Sequence, residues 1–155
     1  MDEQKAVLLG EVRYAERLTQ RTARMYRRIA WSCSFFGVIG GSGVVSVLSD
    51  LVPGWVTVAG AVLLMLVAAI TLTMRPIEKA VANETDARKY AALRTAAGPM
   101  TASELRDALS KARETDVAEI EPLRAVAYND IVTEMGREDM RIALSFQQRL
   151  LGAIA

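Results

Sequence analysis

The stretch that decides the fold runs from Ile29 to Met74 and reads IAWSCSFFGVIGGSGVVSVLSDLVPGWVTVAGAVLLMLVAAITLTM. Its only charged residue is Asp50, which separates two uncharged runs, 29–49 and 51–74. As a helix rising about 1.5 Å per residue, the first run spans roughly 30 Å, the thickness of a bilayer's hydrocarbon core. We therefore expect transmembrane helices at 29–49 and 55–74, joined by an external loop at 50–54. The alternative is a pair of buried helices, but a soluble domain of this size would struggle to cover two helices that are apolar all round.

Basic residues lie on both sides of this stretch and are absent from the loop between the two runs. They are Lys5, Arg13, Arg17, Arg21, Arg24, Arg27 and Arg28 before it, and Arg75, Lys79, Arg88 and Lys89 after it. The positive-inside rule places both flanks, 1–28 and 75–155, in the cytoplasm. Trp31 and Trp55 are then candidate anchors at the inner and outer membrane surfaces, although either indole could instead pack against a neighbouring helix.

The first run is rich in small residues. Its candidate pore-lining or helix-packing residues are Ser34, Gly37, Gly41, Ser42 and Ser46. Small residues let helix backbones approach closely in lipid, and here they are not confined to one stripe, which indicates a homo-oligomer, a tetramer or similar. Close packing without conduction explains them equally well. No ionisable residue lies inside either run, which argues against an active transporter but leaves a pore open.

Arginines form a stripe along the basic cytoplasmic helix that we expect at 1–28 and that we expect to continue directly into the first span. Arg13, Arg17, Arg21 and Arg24 are spaced by four, four and three residues and share one face. Arginine forks suit phosphate, so these four are candidate ligands for a nucleotide or another phosphate-bearing signal. The alternative is that the stripe sets the topology and attracts anionic lipid headgroups.

The rest of the chain predicts an all-α protein. After the second run we expect four amphipathic helices at about 77–97, 101–113, 121–135 and 138–155. Thr101 and Glu104 form a capping box, and Gly136 ends the third of these helices. Ile142, Phe146 and Leu150 at a spacing of four predict that the last helix is continuous.

Composition gives little support for catalysis. The 155 residues include 52% hydrophobic and 24% charged residues, with a net charge of +1, so no global charge bias favours nucleic acid. There is no histidine and a single cysteine, Cys33, and we find no glycine-rich phosphate loop. We therefore expect neither an enzyme, nor a metal, nor a cofactor. The opening residues lack the pattern of a signal peptide, so we expect the first run to be a retained anchor.

Three features together resemble the SLATT-domain family, the two-transmembrane effectors of bacterial nucleotide-signalling immunity. They are the stretch Arg21–Arg28 before the first run, the short loop from Asp50 to Gly54, and the helix carrying Ala80 to Leu93. The resemblance implies a homo-oligomeric pore in the bacterial inner membrane that is controlled by a nucleotide or oligonucleotide signal and depolarises or permeabilises that membrane during phage infection. It also implies a partner nucleotidyltransferase that makes the signal. The chain has no separate sensor domain of a recognised type, so a nucleotide, if one binds, would have to use the cytoplasmic helices themselves.

Three other functions remain open at this point. One is a non-conducting membrane anchor or scaffold that recruits a cytoplasmic partner, and another is a holin-like lysis protein. The third, a membrane enzyme, is disfavoured by the missing histidine and the uncharged spans.

Overall fold

The computed structural model describes residues 3–41, 53–117 and 119–155, and every regular element among them is helical. Six α-helices and one short 3-10 helix, Glu138–Met140, make up the described chain. The α-helices are α1 (Glu3–Gly41), α2 (Gly54–Met74), α3 (Pro76–Ala96), α4 (Ala102–Arg113), α5 (Leu123–Glu134) and α6 (Phe146–Ile154). The predicted all-α class is confirmed for these residues.

The chain forms two compact units. Tyr26–Glu78 make up the first, which we call the apolar unit. Residues up to Met25 together with Lys79–Ala155 make up the second, the helical body. Helix α1 contributes to both, because it continues without a break from the arginine-rich segment into the first apolar run. The rest of that predicted span, 42–49, and residues 50–52 of the predicted loop lie outside the described residues.

The helical body has two apolar clusters. In the first, Leu8 and Val12 of α1 pack with Tyr90 of α3 and with Leu105 and Leu109 of α4, and all five are buried. In the second, Leu18 of α1 packs with Leu123 and Ala127 of α5 and with Ala155. Helices of 12 residues, such as α4 and α5, are marginal in isolation, so burial against α1 and α3 is what stabilises them.

Two helix ends follow the sequence prediction. The Thr101 hydroxyl accepts a hydrogen bond from the backbone N–H of Glu104, and the Glu104 carboxylate accepts one from the backbone N–H of Thr101 at 2.7 Å. This reciprocal capping box starts α4. After α5, Gly136 has a φ of 68°, the left-handed conformation that glycine adopts without a Cβ clash.

The predicted last helix, 138–155, is wrong over its first half. Only Phe146–Ile154 is α-helical, and α6 starts at a capping box between Ser145 and Gln148. The cause is the side chain of Asn129 on α5. Its Nδ2 donates to the Ile142 carbonyl and its Oδ1 accepts from the Ile142 N–H, both at 2.8 Å. These bonds take both backbone polar groups of Ile142, so a helix through this residue loses its own hydrogen bonds.

Candidate functional site

Helix α2 presents its apolar side chains to the outside of the molecule. None of its 21 residues is buried. Trp55, Met65 and Leu72 are 73%, 68% and 76% exposed. Within the described residues one stretch, Gly54–Ala96, contains an 18-residue window long and apolar enough to cross a membrane, with a mean hydropathy of 2.4 and none of it buried. That window belongs to α2, because charged residues recur along α3. Water-soluble proteins rarely expose so large a contiguous apolar surface.

A cavity of about 610 Å³ lies inside the apolar unit, between α1 and α2. Small residues form its α1 wall, namely Ala30, Cys33, Ser34 and Gly37. The α2 wall consists of Leu64, Val67, Ala68, Thr71 and Leu72. At one end the lining continues with Arg75, Pro76, Ile77 and Glu78. Arg75 and Glu78 are the only charged residues of the lining. The cavity is therefore apolar along its length and charged at one end.

The five predicted pore or packing residues are only partly placed by the structure. Ser34 and Gly37 line the cavity together. Gly41 is the last residue of α1, while Ser42 and Ser46 lie outside the described residues. A Cβ built on Gly37 would meet nothing within 4 Å. The described part of the protomer therefore gives no packing reason for a glycine at this position.

Both predicted anchor tryptophans have exposed indoles. Trp31 is 66% exposed and stacks on Phe35, with ring centroids 5.4 Å apart. Trp55 lies in the first turn of α2. Exposure of this degree suits an indole at a membrane surface better than one packed within the protomer.

Two of the four arginines of the predicted stripe form ion pairs within the helical body. Arg17 pairs with Glu134. Arg21 binds Asp130 through two bonds, Nε–Oδ2 at 2.6 Å and Nη2–Oδ1 at 2.9 Å. The third nitrogen of Arg21, Nη1, donates to the carbonyl oxygen of Gly152 at 2.9 Å. A phosphate ligand would have to compete with these contacts.

The two other arginines of the stripe are exposed. Arg13 faces solvent, and Arg24 donates through Nε to the carbonyl oxygen of Gln20 at 3.4 Å. The carboxylates that meet the stripe were missed at the sequence level, although a signal was present. Asp130 and Glu134 are four residues apart, as are Arg17 and Arg21, and the pairs 17–134 and 21–130 match in an antiparallel register.

A polar network joins α3 to the segment after α4. The Lys89 ammonium lies 3.0 Å from Asp86 and 2.7 Å from Asp116, and the Tyr90 hydroxyl donates to the second oxygen of Asp116. Asp86 also accepts from the backbone N–H of Val117 at 3.1 Å. Burial and the bond to Asp116 raise the pKa of Tyr90. Burial opposes the charged form of Lys89, but its bonds to Asp116 and Asp86 outweigh that effect and raise its pKa. Both groups stay protonated at neutral pH and serve as donors.

A second cavity, of about 450 Å³, lies within the helical body. It is lined by Tyr14, Ala15, Tyr90, Arg113, Asp116, Val117, Glu119 and Arg124. Two of these residues are basic and two are acidic, and Arg124 lies 3.5 Å from Glu119. Burial, together with the charge of Asp116, raises the pKa of Glu119, while Arg124 acts in the opposite direction. A site of such mixed charge has no strong preference for an anion.

Within the described part of the chain, no group of three or more histidine, cysteine, aspartate or glutamate side chains is arranged to hold a metal ion. Comparison with protein-family models gives no match, and comparisons with curated proteins and with solved structures give none either. Function must therefore be argued from the site itself.

Proposed function

We propose that the chain is a pore-forming effector of the bacterial inner membrane, assembled as a homo-oligomer and gated by a nucleotide or oligonucleotide signal. The proposal is carried by the apolar surface of α2, none of whose residues is buried. A bilayer is the solvent that such a surface requires. In this proposal the apolar unit crosses the membrane twice, both termini and the helical body are cytoplasmic, and the arginine-rich flank sets that topology.

Assembly of several copies is supported by the small-residue wall of the first apolar run. Among the described residues nothing lies within 4 Å of a Cβ built on Gly37, so no contact seen there requires a residue this small. Contact with a second copy gives it a role, because small residues at helix interfaces allow close approach in lipid. The subunit arrangement that this favours is a ring in which α1 is inside and α2 faces lipid.

Control by a signal would act through the arginine stripe. Arg17 and Arg21 hold α5 and the residues around Gly152 against α1 through exposed or half-buried ion pairs. A polyphosphate offers the same forks several negative oxygens and would compete with Asp130 and Glu134 for them. The helical body would then loosen from the helix that continues into the membrane. The resemblance to SLATT-domain effectors supports this assignment and a role in anti-phage defence, with a nucleotidyltransferase as the source of the signal.

Dye leakage from liposomes tests the proposal. The full-length protein is reconstituted with an entrapped fluorophore and exposed to a panel of cyclic and linear oligonucleotides. We expect signal-dependent release, and we expect Asp130→Asn, which frees Arg21, to lower the signal concentration required. Gly37→Leu should reduce the oligomer seen by crosslinking and abolish release, whereas Met65→Leu, on the lipid-facing side of α2, should alter neither. Protein that inserts but releases no dye under any condition refutes the pore.

A non-conducting scaffold is the second candidate, and one observation favours it. Phe146, Leu150 and Ile154 form an exposed apolar side on α6, with 83%, 53% and 39% of each residue accessible. Such a side can dock a cytoplasmic partner. Two results together would favour the scaffold over the pore. The liposomes would stay intact, and a partner would co-purify with the wild type but not with Phe146→Ser.

A further inference from the structure

The charged end of the cavity in the apolar unit carries one residue of each sign. Arg75 and Glu78 are in loose contact, with Nη1 and Oε2 3.4 Å apart, and their side chains are 68% and 69% exposed. Exposed pairs of this kind are held weakly and open easily. Both residues also line the cavity, so whatever fills it meets a cation and a carboxylate together.

Backbone geometry fixes Arg75 at this position. It caps α2 with φ 44° and ψ 57°, and it is the only non-glycine residue with a positive φ among the described residues. Helices commonly end in this left-handed conformation, but usually with glycine or asparagine. Pro76 follows at once and starts α3, and it is buried. The backbone of Arg75 is thus fixed at the turn between the two helices.

The walls of the cavity suit a hydrocarbon chain. The hydroxyl of Thr71 donates to the Val67 carbonyl of its own helix at 2.8 Å, so this polar group of the wall is already hydrogen-bonded. Leu64 and Ala68 continue the apolar surface along α2. A volume of about 610 Å³ is within the range of ligand pockets, which is roughly 300–1,000 Å³.

We propose that this cavity binds one acyl chain of a phospholipid whose headgroup is zwitterionic with a primary ammonium, as in phosphatidylethanolamine. The guanidinium of Arg75 donates to the phosphate, and the lipid ammonium donates to the carboxylate of Glu78. Each partner of the loose ion pair thereby gains a charge-assisted hydrogen bond. A purely anionic headgroup would bring negative charge against Glu78. A choline headgroup has no N–H to donate to that carboxylate. The proposal rests on the membrane location given above, and not on conduction or on a nucleotide signal.

Native mass spectrometry of the full chain tests it. The protein is released from nanodiscs containing equal parts of phosphatidylethanolamine, phosphatidylglycerol and phosphatidylcholine, and the retained lipid is identified. We expect phosphatidylethanolamine to be retained about tenfold over each of the others, a ratio typical of one additional charge-assisted hydrogen bond. Equal retention of the three lipids, or preference for phosphatidylglycerol, overturns the proposal.

Four variants separate the two ends of the site. Arg75→Gln should lower retention of both phosphatidylethanolamine and phosphatidylglycerol about tenfold, whereas Glu78→Gln should raise phosphatidylglycerol to the level of phosphatidylethanolamine. Ala68→Leu fills the cavity and should remove bound lipid, while Met65→Leu, which lies on α2 outside the cavity lining, should not. An unchanged lipid preference in Glu78→Gln overturns the headgroup assignment. Loss of the oligomer with unchanged lipid in Ala68→Leu assigns the cavity to a helix of a second copy, which also overturns the proposal.

Carbonate extraction of membranes that contain the full-length protein distinguishes a failure of the membrane location from a failure of the lipid site. Protein that is extracted into the soluble fraction contradicts the membrane location itself. Protein that stays in the membrane fraction but shows no lipid preference contradicts only the lipid site.

Discussion

Replacing Arg21 by alanine should detach α5 and α6 from α1 more readily than any other single change in the arginine stripe. Arg21 donates two hydrogen bonds to Asp130 and one to the carbonyl oxygen of Gly152, all between 2.6 and 2.9 Å. The side chains of Arg21 and Asp130 are only 17% and 25% exposed. Removal of one partner from a fully buried pair costs about 3–5 kcal/mol. Partial exposure lowers this to about 2–3 kcal/mol, since water screens the carboxylate that is left.

Hydrogen exchange measured by mass spectrometry reports this loss of stability helix by helix. In full-length protein in nanodiscs, amides in Leu123–Glu134 and Phe146–Ile154 should exchange roughly 30- to 150-fold faster in Arg21→Ala, as each 1.4 kcal/mol is a factor of ten. Amides of α4 serve as an internal reference. Arg17→Ala is the matched control, because its partner Glu134 is 56% exposed. The expected change is about 0.5 kcal/mol, or roughly twofold.

Two results would refute the reasoning. One is an acceleration below about threefold in Arg21→Ala, which would mean that the bidentate pair contributes no more than an ordinary surface pair. The other is failure of the exchanged pair, Arg21→Asp with Asp130→Arg, to recover any of the lost protection. Recovery is expected to be partial, because the bond to the Gly152 carbonyl is not restored.

Three further changes have directions fixed by the structure. Gly152→Ala should raise the thermal midpoint of the helical body less than Gly10→Ala does. Both glycines lie in helices, so alanine gains about 1 kcal/mol of helix propensity at each, but the Cβ at position 152 would lie 3.1 Å from a methyl group of Val126 while the Cβ at position 10 would meet nothing within 4 Å; equal midpoints would contradict this. Thr101→Ala removes the α4 cap and should cost about 1 kcal/mol in local opening of α4, with faster exchange there and unchanged exchange in α5. Burial raises the pKa of Glu119, so its contribution to stability is present at low pH and is lost as the pH rises through that pKa. The variant Glu119→Gln should therefore lose less thermal stability than the wild type between pH 4 and pH 8, and parallel pH profiles of the two proteins would contradict this.

Features that depend on local chemistry were predictable from the sequence. The apolar helix α2, the capping box at Thr101 and the glycine that follows α5 each require only neighbouring residues. The last helix was not predictable in the same way, because its apolar spacing of four was overruled by Asn129, 13 residues before Ile142. The Ser145–Gln148 capping box was the local signal for the true start.

The candidate sites show the same difference between features set by neighbouring residues and features set by residues distant in the chain. The arginine stripe was visible as a periodic pattern, but its acidic partners lie more than 100 residues away in the chain. Proximity of that kind is decided by tertiary packing, and the sequence carried only an indirect signal for it, the spacing of four that the pairs 17/21 and 130/134 share. The charged end of the cavity was likewise hidden, because Arg75 and Glu78 look like ordinary flanking charges until the turn between α2 and α3 places both on its lining.

The division of the helical body between two distant parts of the chain has a consequence for synthesis. Residues up to Met25 leave the ribosome before the apolar unit, and residues from Lys79 onward leave after it. At about 5–20 residues per second, the 54 positions from Met25 to Lys79 take roughly 3–11 s. Leu8 and Val12 lack their partners on α4 throughout that interval. The apolar unit is therefore synthesised before the body that is proposed to control it can assemble, and a nascent chain stalled before α4 would expose apolar side chains that the finished protein buries.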